Sequence, residues 1–98
     1  MRTYNRGSVF YILAEVFKYA PFGNSSLYDP TEVRITISDP TGADIISEEL
    51  FEKTSIGRYY YICQTEENWE AGVYKTKTIT KDGVLTDITI DESGFHLI

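Results

Sequence analysis

Apolar and polar residues alternate along this chain in short runs, separated by turn residues about every ten positions, and the three- and four-residue spacing of an amphipathic helix is missing almost everywhere. The clearest run is Val33-Arg34-Ile35-Thr36-Ile37-Ser38, whose branched apolar residues take one face and whose polar residues take the other. This predicts a half-buried strand. The run stops at Asp39-Pro40-Thr41-Gly42, where proline presets one turn dihedral and glycine permits a positive one, so a tight turn follows. Residues 57–65 read as a second strand, with Tyr59, Tyr61 and Cys63 on one face and Arg58, Tyr60, Ile62 and Gln64 on the other. Residues 73–80 set Tyr74, Thr76 and Thr78 against Lys75, Lys77 and Ile79. The favoured hairpin dipeptide Asp82-Gly83 then joins this strand to residues 84–90, whose Val84, Ile88 and Ile90 share a face.

The first apolar segment is less regular, because residues 9–17 are apolar on both sides. Val9, Tyr11, Leu13 and Phe17 take one face and Phe10, Ile12, Ala14 and Val16 the other. β-Branched and aromatic content favours a strand here over a short helix. Residues 18–30, with Pro21, Pro30, Gly23 and Asn24-Ser25-Ser26, read as a loop. The sum is one all-β domain over residues 1–98, a two-sheet antiparallel sandwich of about seven strands, with residues 1–7 as an N-terminal arm and 91–98 as a C-terminal tail.

Composition narrows the partners. At 98 residues, with 42% hydrophobic and 14% aromatic content, the chain is able to bury roughly 65% of its unfolded surface and hold a core without a disulfide. A net charge of −6 argues against a duplex nucleic acid as partner, since such binding rests on lysine and arginine neutralising phosphates. Arg2 and Arg6 near the start, and Lys75, Lys77 and Lys81 along one segment, are the scattered exceptions. Cys63 is the sole cysteine, which excludes an internal disulfide and suits a reducing compartment. No signal-peptide pattern is visible, Glu15 interrupts the apolar stretch, and residues 9–14 fall far short of the ~20 a membrane helix needs. The expectation is a soluble protein of the cytoplasm or of a virion, with no membrane partner.

The segment Glu70-Ala71-Gly72-Val73-Tyr74-Lys75-Thr76 resembles the approach to strand F of immunoglobulin-like domains, where a tyrosine hydroxyl bonds back to nearby backbone. The resemblance makes Tyr74 that structural corner. Thr76 stands where antibody domains carry a cysteine, so a disulfide-bonded antibody-type domain is not implied. The order Asp29-Pro30, residues 33–37, Asp39-Pro40-Thr41-Gly42, residues 57–61 and Gly72-Val73-Tyr74 is similar, over about residues 8–90, to immunoglobulin-like or macroglobulin-like modules of prokaryotic and viral proteins. Modules of that kind without a signal peptide look like small structural proteins of tailed viruses, which decorate capsids or join head to tail.

Catalytic chemistry finds little support. His96 is the only histidine, third from the end of the sequence, and a lone Cys63 on a strand is ordinarily an inert buried thiol. One cysteine and one histidine do not make a zinc site. Glu66, Glu67 and Glu70, or Asp87, Asp91 and Glu92, offer part of a calcium set without matching the spacing of a calcium loop. Glu48, Glu49 and Glu52 are close in sequence but have no predicted cleft for glycosidic chemistry. The glycines fall singly at turns, so no phosphate cradle is read. No enzyme, cofactor or metal is therefore assigned. The aromatic excess remains, and some of it must reach the surface. With Tyr59 and Tyr61 inward, Tyr60 and Ile62 point outward, and Phe10 and Ile12 on the second face of the first strand join them as the expected interface. Either a protein partner, self or another structural subunit, covers these residues, or the chain's own Pro21-Phe22-Gly23 does. Trp69 is either a core plug or an anchor. The leading expectation is a non-enzymatic structural or adaptor domain of a larger assembly; the alternative is a carbohydrate or small-ligand binding module with surface aromatics as a stacking platform.

Overall fold

The computed structural model of the chain describes residues 2–19, 25–83 and 85–98, with the backbone alone for residues 18, 19, 25 and 85–93. Ten strands run through them: β1 (Arg2–Tyr4), β2 (Val9–Glu15), β3 (Phe17–Tyr19), β4 (Ser25–Leu27), β5 (Glu32–Ser38), β6 (Asp44–Leu50), β7 (Glu52–Ser55), β8 (Arg58–Gln64), β9 (Gly72–Asp82) and β10 (Leu85–Leu97). They form a five-stranded sheet in the order β1-β10-β9-β5-β6, a three-stranded sheet in the order β2-β8-β7, and a small β3-β4 pair. All pairings are antiparallel except β1 with β10. The fold is thus an all-β sandwich of two main sheets.

The alternation that predicts β5 also orients it. Val33, Ile35 and Ile37 are buried at 3%, 0% and 0% exposure, and the β5–β9 register sets Ile37 beside Thr76 and Val33 beside Thr80. After β5, the Asp39 carboxylate accepts from the Thr41 amide (2.9 Å), the Thr41 hydroxyl (2.6 Å) and the Ala43 amide (3.0 Å). Gly42 supplies the positive φ of 93°, and the chain returns as β6. This is an Asx-type turn, in which a short side chain substitutes for backbone partners. The polypeptide changes sheet at Phe51, which is buried, donates its amide to the Val33 carbonyl (2.9 Å) and meets Tyr61 edge-on at 6.1 Å.

The core joins both sheets through a run of rings. Tyr4 of β1 stacks on Phe10 of β2 at 3.9 Å, Phe10 meets Phe95 of β10 edge-on at 5.0 Å, Phe95 stacks on Tyr74 of β9 at 5.1 Å, and Tyr74 lies against Trp69 at 5.7 Å. Each such contact adds about 0.5–1.5 kcal/mol beyond the area it buries. The Tyr74 hydroxyl donates to the Glu70 carbonyl at 2.7 Å, four residues upstream. Gly94, with φ 47°, lets β10 cross closely over the Tyr74 carbonyl in the irregular stretch between Asp91 and Phe95.

Several sequence expectations need correction. Residues 1–7 are not a free arm, since Arg2, Thr3 and Tyr4 pair with Phe95, His96 and Leu97. Nor is 91–98 a tail: β10 continues to Leu97, which is fully buried. Two chain ends that pair with each other leave no local signature, so each reads in isolation as loose. The 18–30 loop holds part of the β3–β4 pair, with Phe17 opposite Leu27. Phe10 and Ile12 do not belong to an exposed face. The register pairs Phe10 with Cys63 and Ile12 with Tyr61, and directly opposed residues share a face, so both side chains point into the core. The proposed cover by Pro21-Phe22-Gly23, the faces of Val84, Ile88 and Ile90, and the side chains of Asp87, Asp91 and Glu92 lie outside the described residues.

Candidate interaction surface

Regular pairing of β2 with β8 places alternate residues of both strands on the outside of the three-stranded sheet. The register sets Val9 against Gln64, Tyr11 against Ile62, Leu13 against Tyr60, and Glu15 against Arg58. Since Phe10, Tyr59 and Cys63 occupy the core side, these four pairs form the outer face. Three of the four are wholly or partly apolar. Val9 is 59% exposed, Tyr11 65%, Leu13 76% and Ile62 49%, with Tyr60 half-buried beneath Tyr11, whose ring it meets edge-on at 5.8 Å. Together they leave on the order of 400 Å² of contiguous apolar surface, the scale of the largest patch on an ordinary monomer and one often used for recognition. The stripe ends at the exposed ion pair of Arg58 with Glu15, 3.6 Å apart.

Of the sequence-derived interface residues, Tyr60 and Ile62 therefore lie on the outer face, while Phe10 and Ile12 lie on its reverse. Val9, Tyr11 and Leu13 take their place. Both faces of β2 are apolar, so composition does not separate them; the separating signal is the partner strand, because only odd-numbered residues of β2 oppose the even-numbered, outward residues of β8.

Beneath the stripe the structure is closed. Cys63 is buried, and desolvation pushes its thiol up to about 12, far from a thiolate at neutral pH. His96 sits in β10 opposite Val73, on the outside of the five-stranded sheet, so it does not share the core with Cys63. Trp69 packs against the core beside Tyr74. The Tyr61 hydroxyl donates to Glu49 (2.6 Å), and burial, then that bond, pushes its pKa above the ordinary tyrosine range. Among the described residues, no three histidine, cysteine, aspartate or glutamate side chains come together as a metal set.

The other outer face has a different character. Lys75 and Lys81 of β9 are exposed and Lys77 half-buried, and Arg34 of β5 pairs with Glu32 at 2.7 Å while donating to the Glu48 carbonyl at 2.7 Å. At the junction with β3–β4, Asp29 accepts from Lys53 (2.6 Å) and the Gly57 amide (2.8 Å); the Lys53 bond first, then the Gly57 bond, holds its carboxyl below the usual range. These polar clusters tie loops to the frame and are internally satisfied. No helix among the described residues is long and apolar enough to cross a membrane. Comparison with family models, with curated proteins and with solved structures finds no match.

Proposed function

We propose that this chain is a non-enzymatic structural or adaptor domain that docks into a larger assembly through the outer face of the β2-β8-β7 sheet. The observation that carries the reading is the stripe of Val9, Tyr11, Leu13, Tyr60 and Ile62. It joins aromatic and aliphatic side chains in one exposed surface, the composition that anchors protein interfaces. Its contrast with the lysine-bearing outer face of the other sheet gives the domain one sticky side and one solvated side. The kind of assembly, a tailed-virus particle in which the domain decorates the capsid or joins head to tail, is supported by the resemblance of the Tyr74 segment and the turn order to immunoglobulin-like modules.

Site-specific photo-crosslinking tests the docking face. A photoreactive phenylalanine analogue replaces Ile62 in one variant and Lys77 in another, and each is expressed in the organism of origin. A discrete adduct from position 62 with none from position 77 is expected. No adduct at 62, or the same products from both positions, overturns the reading.

A further inference from the structure

Among the described residues the two main sheets have four edges, β1, β6, β2 and β7, and three of them are protected against pairing. β1 is three residues long. β6 is interrupted by register shifts, carries Glu48 at a positive φ of 49° and presents Glu48 and Glu49. β7 is four residues long, shifted between Lys53 and Ser55, and begins with Glu52 and Lys53. Short length, bulges and charge are the ordinary means of keeping a strand edge from pairing with another chain. β2 has seven residues, an unbroken register with β8 and no proline, glycine or lysine, and its single charge, Glu15, is its last residue.

Backbone directions on β2 follow from the bonds at its ends. Thr65 donates its amide to the Ser8 carbonyl (3.0 Å), and Val16 donates its amide to the Gly57 carbonyl (2.8 Å). Antiparallel ladders alternate, so the even-numbered residues of β2 bond to β8 and the odd-numbered ones turn their N–H and C=O groups to the edge. β2 has no second strand neighbour among the described residues, which leaves Val9, Tyr11 and Leu13 with paired donors and acceptors directed outward.

We infer that a second copy of this chain pairs antiparallel with β2 about a two-fold axis at Tyr11, joining two three-stranded sheets into one continuous sheet. This deepens the docking proposal and rests on it, because the joined sheet carries both apolar stripes on the same side. Two features select a second copy as the occupant. First, an isologous contact needs a surface that matches itself on reversal, and Val9-Phe10-Tyr11-Ile12-Leu13 does so around Tyr11. Val9 then opposes Leu13 of the other copy and Tyr11 opposes its equivalent, whereas a shift of the axis to Ile12 sets Glu15 against Val9. Second, the strand's two ends carry opposite charges, Arg6 before its start and Glu15 as its last residue. Antiparallel pairing sets the Arg6 flank of one copy beside the Glu15 flank of the other, while parallel pairing sets like against like.

The axis predicts which cysteines meet. Opposed residues of a hydrogen-bonded antiparallel pair lie about 5.5 Å apart at Cα, within disulfide reach, whereas residue 13 of the two copies is offset by four positions, roughly 13 Å. Tyr11→Cys and Leu13→Cys variants are mildly oxidised at matched concentration, and Cys63, buried and protonated, does not compete. Light scattering of the unoxidised parent gives the mass. A parent mass of twice 11.2 kDa at high concentration is expected, with a disulfide-linked dimer from Tyr11→Cys and at least tenfold less from Leu13→Cys. Glu15→Arg weakens the dimer, and Arg6→Glu in the same chain restores it. A parent that stays at the single-chain mass, or equal crosslinking of the two variants, overturns the inference. If the photo-adduct at Ile62 then contains a different protein, docking stands and self-pairing alone has failed; if Ile62 yields no adduct, docking itself has failed.

Discussion

Removing the Tyr74 hydroxyl isolates one bond at the centre of the aromatic run. Tyr74 is 1% exposed, its ring lies 5.1 Å from Phe95 at an interplanar angle of 6° and 5.7 Å from Trp69, and its hydroxyl donates to the Glu70 carbonyl at 2.7 Å. Tyr74→Phe keeps the ring and both stacking contacts and loses only this bond. The net worth of a neutral intramolecular hydrogen bond is about 0.5–1.5 kcal/mol. The bond is only part-buried and Glu70 is an exposed residue, so the full penalty of a stranded, deeply buried acceptor does not apply. We expect a loss of about 1 kcal/mol, or a midpoint of thermal unfolding lower by about 4–8 °C for a domain of this size.

Urea unfolding followed by fluorescence reads this directly, because Trp69 is the only tryptophan and sits against Tyr74. The native emission and the urea dependence of stability should be unchanged in Tyr74→Phe, with only the midpoint displaced. Tyr74→Ala removes the ring as well and should cost about 3–5 kcal/mol with a red-shifted native emission. A Tyr74→Phe loss within about 0.5 kcal/mol, the range of an ordinary surface substitution, would refute the assignment of structural weight to the corner bond.

Gly94→Ala should cost about 3 kcal/mol or more, because a Cβ there overlaps the Tyr74 carbonyl and φ is 47°. Gly42→Ala, with φ 93° but nothing within 4 Å of a new Cβ, should cost only about 1–2 kcal/mol; equal thermal melts for the two would contradict the close crossing at Gly94. Asp29 is held below the ordinary aspartate value near 3.8, chiefly by Lys53 and then by the Gly57 amide. A lowered folded-state value means that its contribution is fully present above the unfolded value and disappears as pH falls through the folded one. Stability measured by urea from roughly pH 6 to pH 2 should therefore fall less steeply below about pH 4 in Asp29→Asn than in the parent, and superimposable acid limbs would remove Asp29 from the account.

The strands that were legible in the sequence are those whose period is intact. β5 alternates without interruption and ends in residues that build its turn with their own side chains, so both its faces and its end are visible locally. β6 was hidden for the opposite reason. Register shifts and the positive φ at Glu48 break the two-residue period of Asp44-Ile45-Ile46-Ser47-Glu48-Glu49-Leu50, and the sequence alone assigns no strand there. β1 and the end of β10 were hidden by distance, since Arg2 finds Phe95 across nearly the whole chain. On β2 the strand itself was legible and its orientation was not: Phe10 and Tyr11 are equally apolar, and only pairing with Cys63 and Ile62 decides which one enters the core.

That same ambiguity underlies the role proposed for β2. A strand needs one apolar face to build a core, and Phe10, Ile12 and Ala14 meet that need. The second apolar face adds little to the folded monomer beyond the Tyr11–Tyr60 contact, since Leu13 at 76% and Tyr11 at 65% remain largely in water. General hydrophobicity of the chain does not account for it, because the outer side of the other sheet presents Lys75, Lys77 and the Arg34–Glu32 pair. Nor do the other edges match it, because β6 and β7 are broken by register shifts and carry glutamates, although β6 also exposes Ile45 and Leu50. The exposed face and the unprotected edge coincide on one strand, and a surface that pairs through its edge and docks through its face is the arrangement that uses both.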